Sequence, residues 1–113
     1  MSDEKLYDLE QLNAIAAGNE DFVIKMVGMF LEMTPGLVGR IEAGLQTQDW
    51  AEVQSAAHKM KPSVDMMGVK SLHDVVRAIE GNAKTESNLE QIPELYFKLS
   101  ETLENVYEQL RNR

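Results

Sequence analysis

The chain has 113 residues, no cysteine and a formal net charge of −8 from 11 basic and 19 acidic residues. That length suits one compact domain spanning 1–113, which buries about 60–70% of its unfolded surface without staples. The missing thiols exclude disulfides and thiolate metal centres, and the acidic balance opposes nucleic acid and anionic membranes as partners.

The opening MSDEKLYDLE is acidic and lacks the apolar stretch of a signal peptide. No run approaches the ~20 apolar residues of a membrane span, so a cytoplasmic protein is expected. The first helix is predicted over 4–17, with Leu6, Leu9, Leu12, Ile15 and Ala16 on one side. Gly18 and Asn19 end it, and Asn19 is placed to cap the next helix. That second helix is predicted over 20–47. Phe22, Val23, Met26, Val27, Phe30 and Leu31, then Leu37, Val38, Ile41 and Leu45, follow a three-to-four spacing. Pro35 lies inside it and should kink it near Thr34. The third helix starts from an Asp49–Glu52 capping box and runs to about Met67, with Gly68 as its stop. The fourth, over 70–84, carries Leu72, Val75, Val76, Ile79 and Ala83. Residues 85–91 are polar and read as a loop. The fifth helix, over 92–111, tolerates Pro93 in its first turn and has a stripe of Leu95, Tyr96, Leu99, Leu103, Val106 and Leu110. No segment alternates with period two. The expected fold is all-α: an antiparallel up-and-down four-helix bundle with a short extra N-terminal helix.

The third helix carries the chemistry. At ~100° per residue, Val53, Ala57, Met60, Val64 and Met67 form one narrow stripe that must face the core. His58 falls roughly 140° from its centre, so it is predicted on the surface of a rigid helix. Gln54, Lys61 and Asp65 share its side. Residues 58–70 hold Lys59, Lys61 and Lys70 against a single Asp65, a small cationic patch in an acidic protein. An imidazole is a usable nucleophile at pH 7, and its bond to phosphorus is labile enough for the group to be passed on. Lys61, one turn away, is placed to offset phosphoryl charge. There is no P-loop, no kinase glycine-rich loop and no Mg²⁺ carboxylate cluster, so donors and acceptors must be supplied in trans.

The run Ala56-Ala57-His58-Lys59-Met60-Lys61-Pro62-Ser63-Val64-Asp65-Met66-Met67-Gly68 resembles the signature of the histidine-containing phosphotransfer domains of bacterial two-component phosphorelays. His58, Met60, Lys61, Ser63 and Gly68 match it. Asp49-Trp50, Ile15-Ala16-Ala17-Gly18-Asn19 and Leu31-Glu32-Met33-Thr34-Pro35 are similar to the family as well. The likeness is strongest over 12–37 and 49–80 and weak after 85. It implies that His58 accepts a phosphoryl group from a receiver-domain phospho-aspartate and passes it to another receiver. It also implies that Lys61 stabilises the phosphate charge, and that Gln54, Lys59, Pro62 and Asp65 meet the partner. The implied partners are response-regulator receivers and a hybrid sensor histidine kinase. No cofactor is implied for this chain; Mg²⁺ belongs to the receiver. Such a module is a phosphocarrier without autokinase activity and can act as a monomer. The family has glycine where this chain has Pro62. That departure motivates an alternative, an interaction module that binds receivers or kinases without accepting phosphate. A small metal-binding bundle is a third reading. His73 lies off the stripe of its helix and reads as surface. Arg77, Glu80 and Lys84 line the polar side of the fourth helix; if that helix packs beside the third, any of them is within reach of the rim of the site. Met1 and the short tail after Tyr107 suggest a free-standing protein.

Overall fold

The computed structural model describes residues 4–113. Met1–Asp3, which belong to the segment read for a signal peptide and to the 1–113 domain assignment, lie outside the described residues. The first helix, α1 (Glu10–Ala16), ends where Ala17 and Gly18 take left-handed backbone at φ 52° and 88°. It is shorter than the predicted 4–17. Residues 4–9 form a strap whose amides find acceptors elsewhere. Leu6 N–H donates to Gln109 Oε1 at 2.8 Å, and Asp8 N–H donates to the Met67 carbonyl at 3.0 Å. Gln109 Nε2 returns a bond to the Glu4 carbonyl at 2.9 Å. Tyr7 is buried by the strap, whereas Ile15, expected on the inner side of the helix, is 53% exposed.

Asn19 Oδ1 accepts the Phe22 amide at 3.1 Å and opens α2 (Glu20–Thr47). Its 28 residues span about 42 Å at 1.5 Å per residue, matching the 43 Å long axis of the molecule. The helix runs through Pro35 without a break. Val23, Val27, Phe30 and Ile41 are buried, while Ile24, Met29 and Met33 stay exposed on its outer face. An 18-residue window of α2 has mean hydropathy 1.4, enough by length and composition alone to cross a membrane. Although no unbroken apolar run is present, the window passes because it contains few charges; a bundle helix with one face in the core passes in the same way.

Asp49 Oδ1 accepts the Glu52 amide at 3.1 Å and opens α3 (Trp50–Met66). The predicted capping box is only half formed. Glu52 turns its carboxylate to Arg40 on α2, at 2.6 and 3.0 Å, and the Asp49 amide bonds the Gly44 carbonyl instead. Gly44 lets this corner close: a Cβ there would lie 2.6 Å from Val53 Cγ2. The whole predicted stripe of Val53, Ala57, Met60, Val64 and Met67 is buried. α3 ends in a Schellman motif, with Val69 N–H on the Val64 carbonyl and Gly68 N–H on the Asp65 carbonyl, both at 3.1 Å.

A 3₁₀ turn, Lys70–Leu72, leads into α4 (His73–Thr85). A second, Leu89–Gln91, leads into α5 (Ile92–Arg111). Val75, Val76, Ile79 and Ala83 of α4 and Leu99, Leu103, Val106 and Leu110 of α5 complete the core. Consecutive helices pack on one another and α5 returns against α2, which closes the antiparallel four-helix bundle with α1 appended. Tyr107, outside the predicted stripe, is also buried, with its ring edge-on to Phe30 at 5.8 Å. Burial pushes its phenol pKa up, and the hydroxyl has no hydrogen-bond partner among the described residues.

Gly68 has φ +62°, and a Cβ there would collide with the Asp8 carbonyl oxygen and stand 2.8 Å from Asp8 Cβ. Gly68→Ala should therefore cost at least about 2 kcal/mol, by left-handed strain plus overpacking. Urea denaturation of the two proteins checks this; a midpoint unchanged by the substitution would mean that the strap yields freely.

Candidate functional site

α3 presents one face to α4 and another to α2, and His58 stands on the ridge between them. Its side chain is 62% exposed, as its position opposite the buried stripe requires. On the α4 side, Glu80 reaches across. Its Oε2 lies 2.7 Å from His58 Nδ1, and its Oε1 lies 2.8 Å from Lys61 Nζ. One carboxylate thus bridges the histidine and the lysine one turn on. The Glu80 side chain is only 15% exposed. The hydrogen bond from Lys61 holds its carboxyl below the ordinary value, against the opposing effect of burial, and His58 adds to the lowering.

The bridge also sets the tautomer of the neutral ring. A carboxylate only accepts, so Nδ1 of His58 must carry the proton and Nε2 is left with its lone pair. Nucleophilic character is therefore placed on the ring nitrogen farther from the backbone.

The remaining sequence-predicted residues divide between the two faces. Gln54, one turn before His58, is half-buried. Asp65 faces α4, where Arg77 Nη2 donates to its Oδ2 at 2.8 Å. That bond, more than any other, holds the Asp65 carboxyl below the ordinary range. Lys59 and Pro62 are exposed and look toward α2. There they border a groove of about 500 Å³ whose walls include Met26, Met29, Met33, Ser63 and Met66. The cationic patch read from the sequence is smaller in the fold: Lys61 is paired with Glu80, and Lys70 reaches Asp8 at 3.5 Å. Of the three α4 residues within range of the site, Glu80 reaches His58, Arg77 turns to Asp65, and Lys84 is exposed. Among the described residues, no group of three or more metal-ligating side chains converges.

The family model of the Hpt domain matches residues 25–113. The chain belongs to the Hpt domain family. Membership carries the coarse function, histidine phosphotransfer within a phosphorelay. Among solved structures, this Hpt domain is similar to the crystal structure of histidine-containing phosphotransfer protein B (HptB) from Pseudomonas aeruginosa PAO1. The TM-score is 0.84 at 21% identity, covering 98% of this chain and 95% of that one. At that identity the likeness establishes the helical bundle. No curated protein matches the sequence.

A depressed carboxyl contributes stability above its unfolded-state pKa, and the contribution is lost as pH falls through the lower folded-state value. Glu80 is such a group, with an ordinary value of 4.5. Glu80→Gln should therefore unfold at lower urea than the parent at neutral pH, and the gap should narrow below about pH 4. Urea midpoints at several pH values check this; a gap independent of pH would assign the loss to packing instead.

Proposed function

We propose that His58 accepts a phosphoryl group on Nε2 from the phospho-aspartate of a receiver domain and hands it to the aspartate of a second receiver. The observation that supports this most directly is the Glu80 bridge, which accepts from Nδ1–H and so leaves Nε2 unprotonated on an exposed ridge. The Nε2 lone pair attacks phosphorus in line and the acyl O–P bond breaks. The aspartate leaves as a carboxylate, and the imidazole ring becomes cationic. Its Nδ1–H remains on Glu80, so the new charge appears beside a carboxylate already in place. Glu80 is thus a positioning residue. Transfer to the second receiver runs the same steps backward.

Lys61 is the cation nearest in sequence on the same side, one turn along α3 and held by Glu80. Its role in this reading is to offset the charge of the arriving phosphoryl oxygens. Gln54, Lys59, Pro62 and Asp65 surround His58 on both faces of α3 and form the contact surface for the receiver. The chain supplies no cofactor; Mg²⁺ is the receiver's. One exposed acceptor needs no second copy, so the working form is a monomeric phosphocarrier in the cytoplasm, where receivers and the kinase domains of hybrid sensors are found.

Incubation with a phosphorylated receiver should place acid-labile phosphate on the chain, and His58→Gln should abolish it while leaving the unfolding free energy from urea denaturation within about 0.5 kcal/mol of the parent. Phosphate accepted by the Gln variant would overturn the site. Absence of phosphate on the parent would favour the interaction-module reading, with Pro62 as its cause.

Lys61→Ala should slow transfer about tenfold or more, the scale of losing one charge-assisted contact. Rapid-quench kinetics measure it; an unchanged rate would reduce Lys61 to an anchor for Glu80.

A further inference from the structure

The seam between α3 and α4 holds a second histidine in an arrangement that mirrors the first. His58 and Asp65 are seven residues apart on α3, and His73 and Glu80 are seven apart on α4. Because the helices are antiparallel, His58 meets Glu80 while His73 meets Asp65, with Nδ1 3.3 Å from Oδ1. Each histidine also has a cation about one turn further along its own helix, Lys61 for His58 and Arg77 for His73. His73 is 51% exposed, comparable with His58.

The two sites differ in one contact. Lys61 bonds the carboxylate and leaves the His58 ring to Glu80. Arg77 bonds the carboxylate and the ring together: Nη2 donates to Asp65 Oδ2 at 2.8 Å, and Nη1 lies 3.0 Å from His73 Nδ1. The same Nη1 is 3.2 Å from the His73 carbonyl and 3.4 Å from Asp65 Oδ1. A guanidinium has donors only. In the neutral ring Nδ1 can serve only one of its two neighbours, and the Arg77 contact at 3.0 Å is shorter than the Asp65 contact at 3.3 Å; taking the shorter as the bond puts the lone pair on Nδ1. The neutral His73 ring therefore carries its proton on Nε2, the outer nitrogen that a phosphoryl donor can reach, and its lone pair is covered by Arg77.

We propose that His73 is a latent second phosphoryl-acceptor site, kept silent by Arg77, which makes Arg77 the residue that confines phosphate to one histidine. Removing the guanidinium lets Nδ1 donate to Asp65 and transfers the lone pair to Nε2, reproducing the state of His58 beside Glu80. The step is then the ordinary one. With phosphoramidate as donor, the Nε2–P bond forms, the donor's P–N bond breaks, ammonia leaves with that electron pair, and Nδ1–H stays on Asp65.

The proposal uses the reading of His58 as its comparison, but its first test does not depend on that reading. Long-range ¹H–¹⁵N correlation of the imidazole rings, at a pH where the spectra themselves show both rings neutral, reads each tautomer directly. The expected result is Nε2–H for His73 and Nδ1–H for His58 in the parent, with His73 switching to Nδ1–H in Arg77→Ala. Arg77→Met, which keeps the aliphatic stem, provides the same test if the Ala variant loosens α4. A parent His73 with its proton on Nδ1, or a tautomer unmoved in both variants, would overturn the proposal.

The second test is chemical. Phosphoramidate should label His73 in the His58→Gln, Arg77→Met double variant about tenfold or more above His58→Gln alone, the scale of removing one charge-assisted hydrogen bond. Adding Asp65→Asn should reduce that labelling again. Mass-spectrometric mapping that finds His73 unlabelled in the folded double variant would overturn the latent site, whatever is found for receiver-driven transfer to His58.

Discussion

The Glu80 carboxylate is the constraint on which the rest of the site depends. It is largely out of water, so its charge requires partners, and it has two oxygens to satisfy. One takes the Nδ1 proton of His58 and the other takes the ammonium of Lys61. Without the first bond the imidazole would sample both tautomers and rotate. Without the second, burial would raise the carboxyl and weaken the negative charge that faces the ring. Ile79 and Ala83, on either side of Glu80 in sequence, are buried against the core and fix its position along α4. The electrostatics of the ridge therefore follow from apolar packing one side chain away, on rigid helices rather than a loop.

The two flanks of His58 are chemically unlike. Toward α4 lies a polar seam of paired charges, Lys61 with Glu80 and Arg77 with Asp65, in which each group answers another. Toward α2 lies the groove walled largely by methionines, whose flexible thioethers share the lining with Arg40 and Lys59. α3 can carry both because only its narrow stripe is committed to the core. Ala57 in the stripe and Ala56 beside it are both fully buried, and their small side chains let neighbouring helices approach closely beneath His58. A ridge results, on which the imidazole is presented instead of recessed.

Much of this was legible in the sequence because it depends on local periodicity. The boundaries of α2, α3 and α5, the cap at Asn19, the stop at Gly68 and the exposure of His58 all follow from spacings of three or four residues. What escaped was set by contacts between distant segments. Leu6 and Leu9 continue the spacing of α1, yet the acceptors offered by Gln109 and Met67 straighten that stretch into a strap. Glu52 has the right position for a capping box, but Arg40 on the facing helix is the stronger partner for its carboxylate. Glu80 shows the limit most clearly. Its place on the polar side of α4 was evident, and Arg77 and Lys84 were equally plausible neighbours of the site. Only the register of α4 against α3 selects among them, and no pattern within either helix encodes that register.

Pro62 tests how far the site helix relies on its own hydrogen bonds. It removes the donor that would meet the carbonyl of His58, and an interior proline costs a helix about 3 kcal/mol. Even so, α3 continues through it to Met66. Met60 and Val64, two residues before and two after, are 0% and 1% exposed, and fully burying such side chains contributes about 1.5–3 kcal/mol each. Those two anchors offset the loss and keep the phase of the stripe, so the proline ring falls on the exposed side facing α2. The family's glycine would leave that space open and the His58 carbonyl bonded. With proline the space beside His58 is filled by an apolar ring, and the carbonyl directly behind the imidazole lacks its helical donor. Tertiary packing, more than the helix's own hydrogen bonds, keeps His58 in position here.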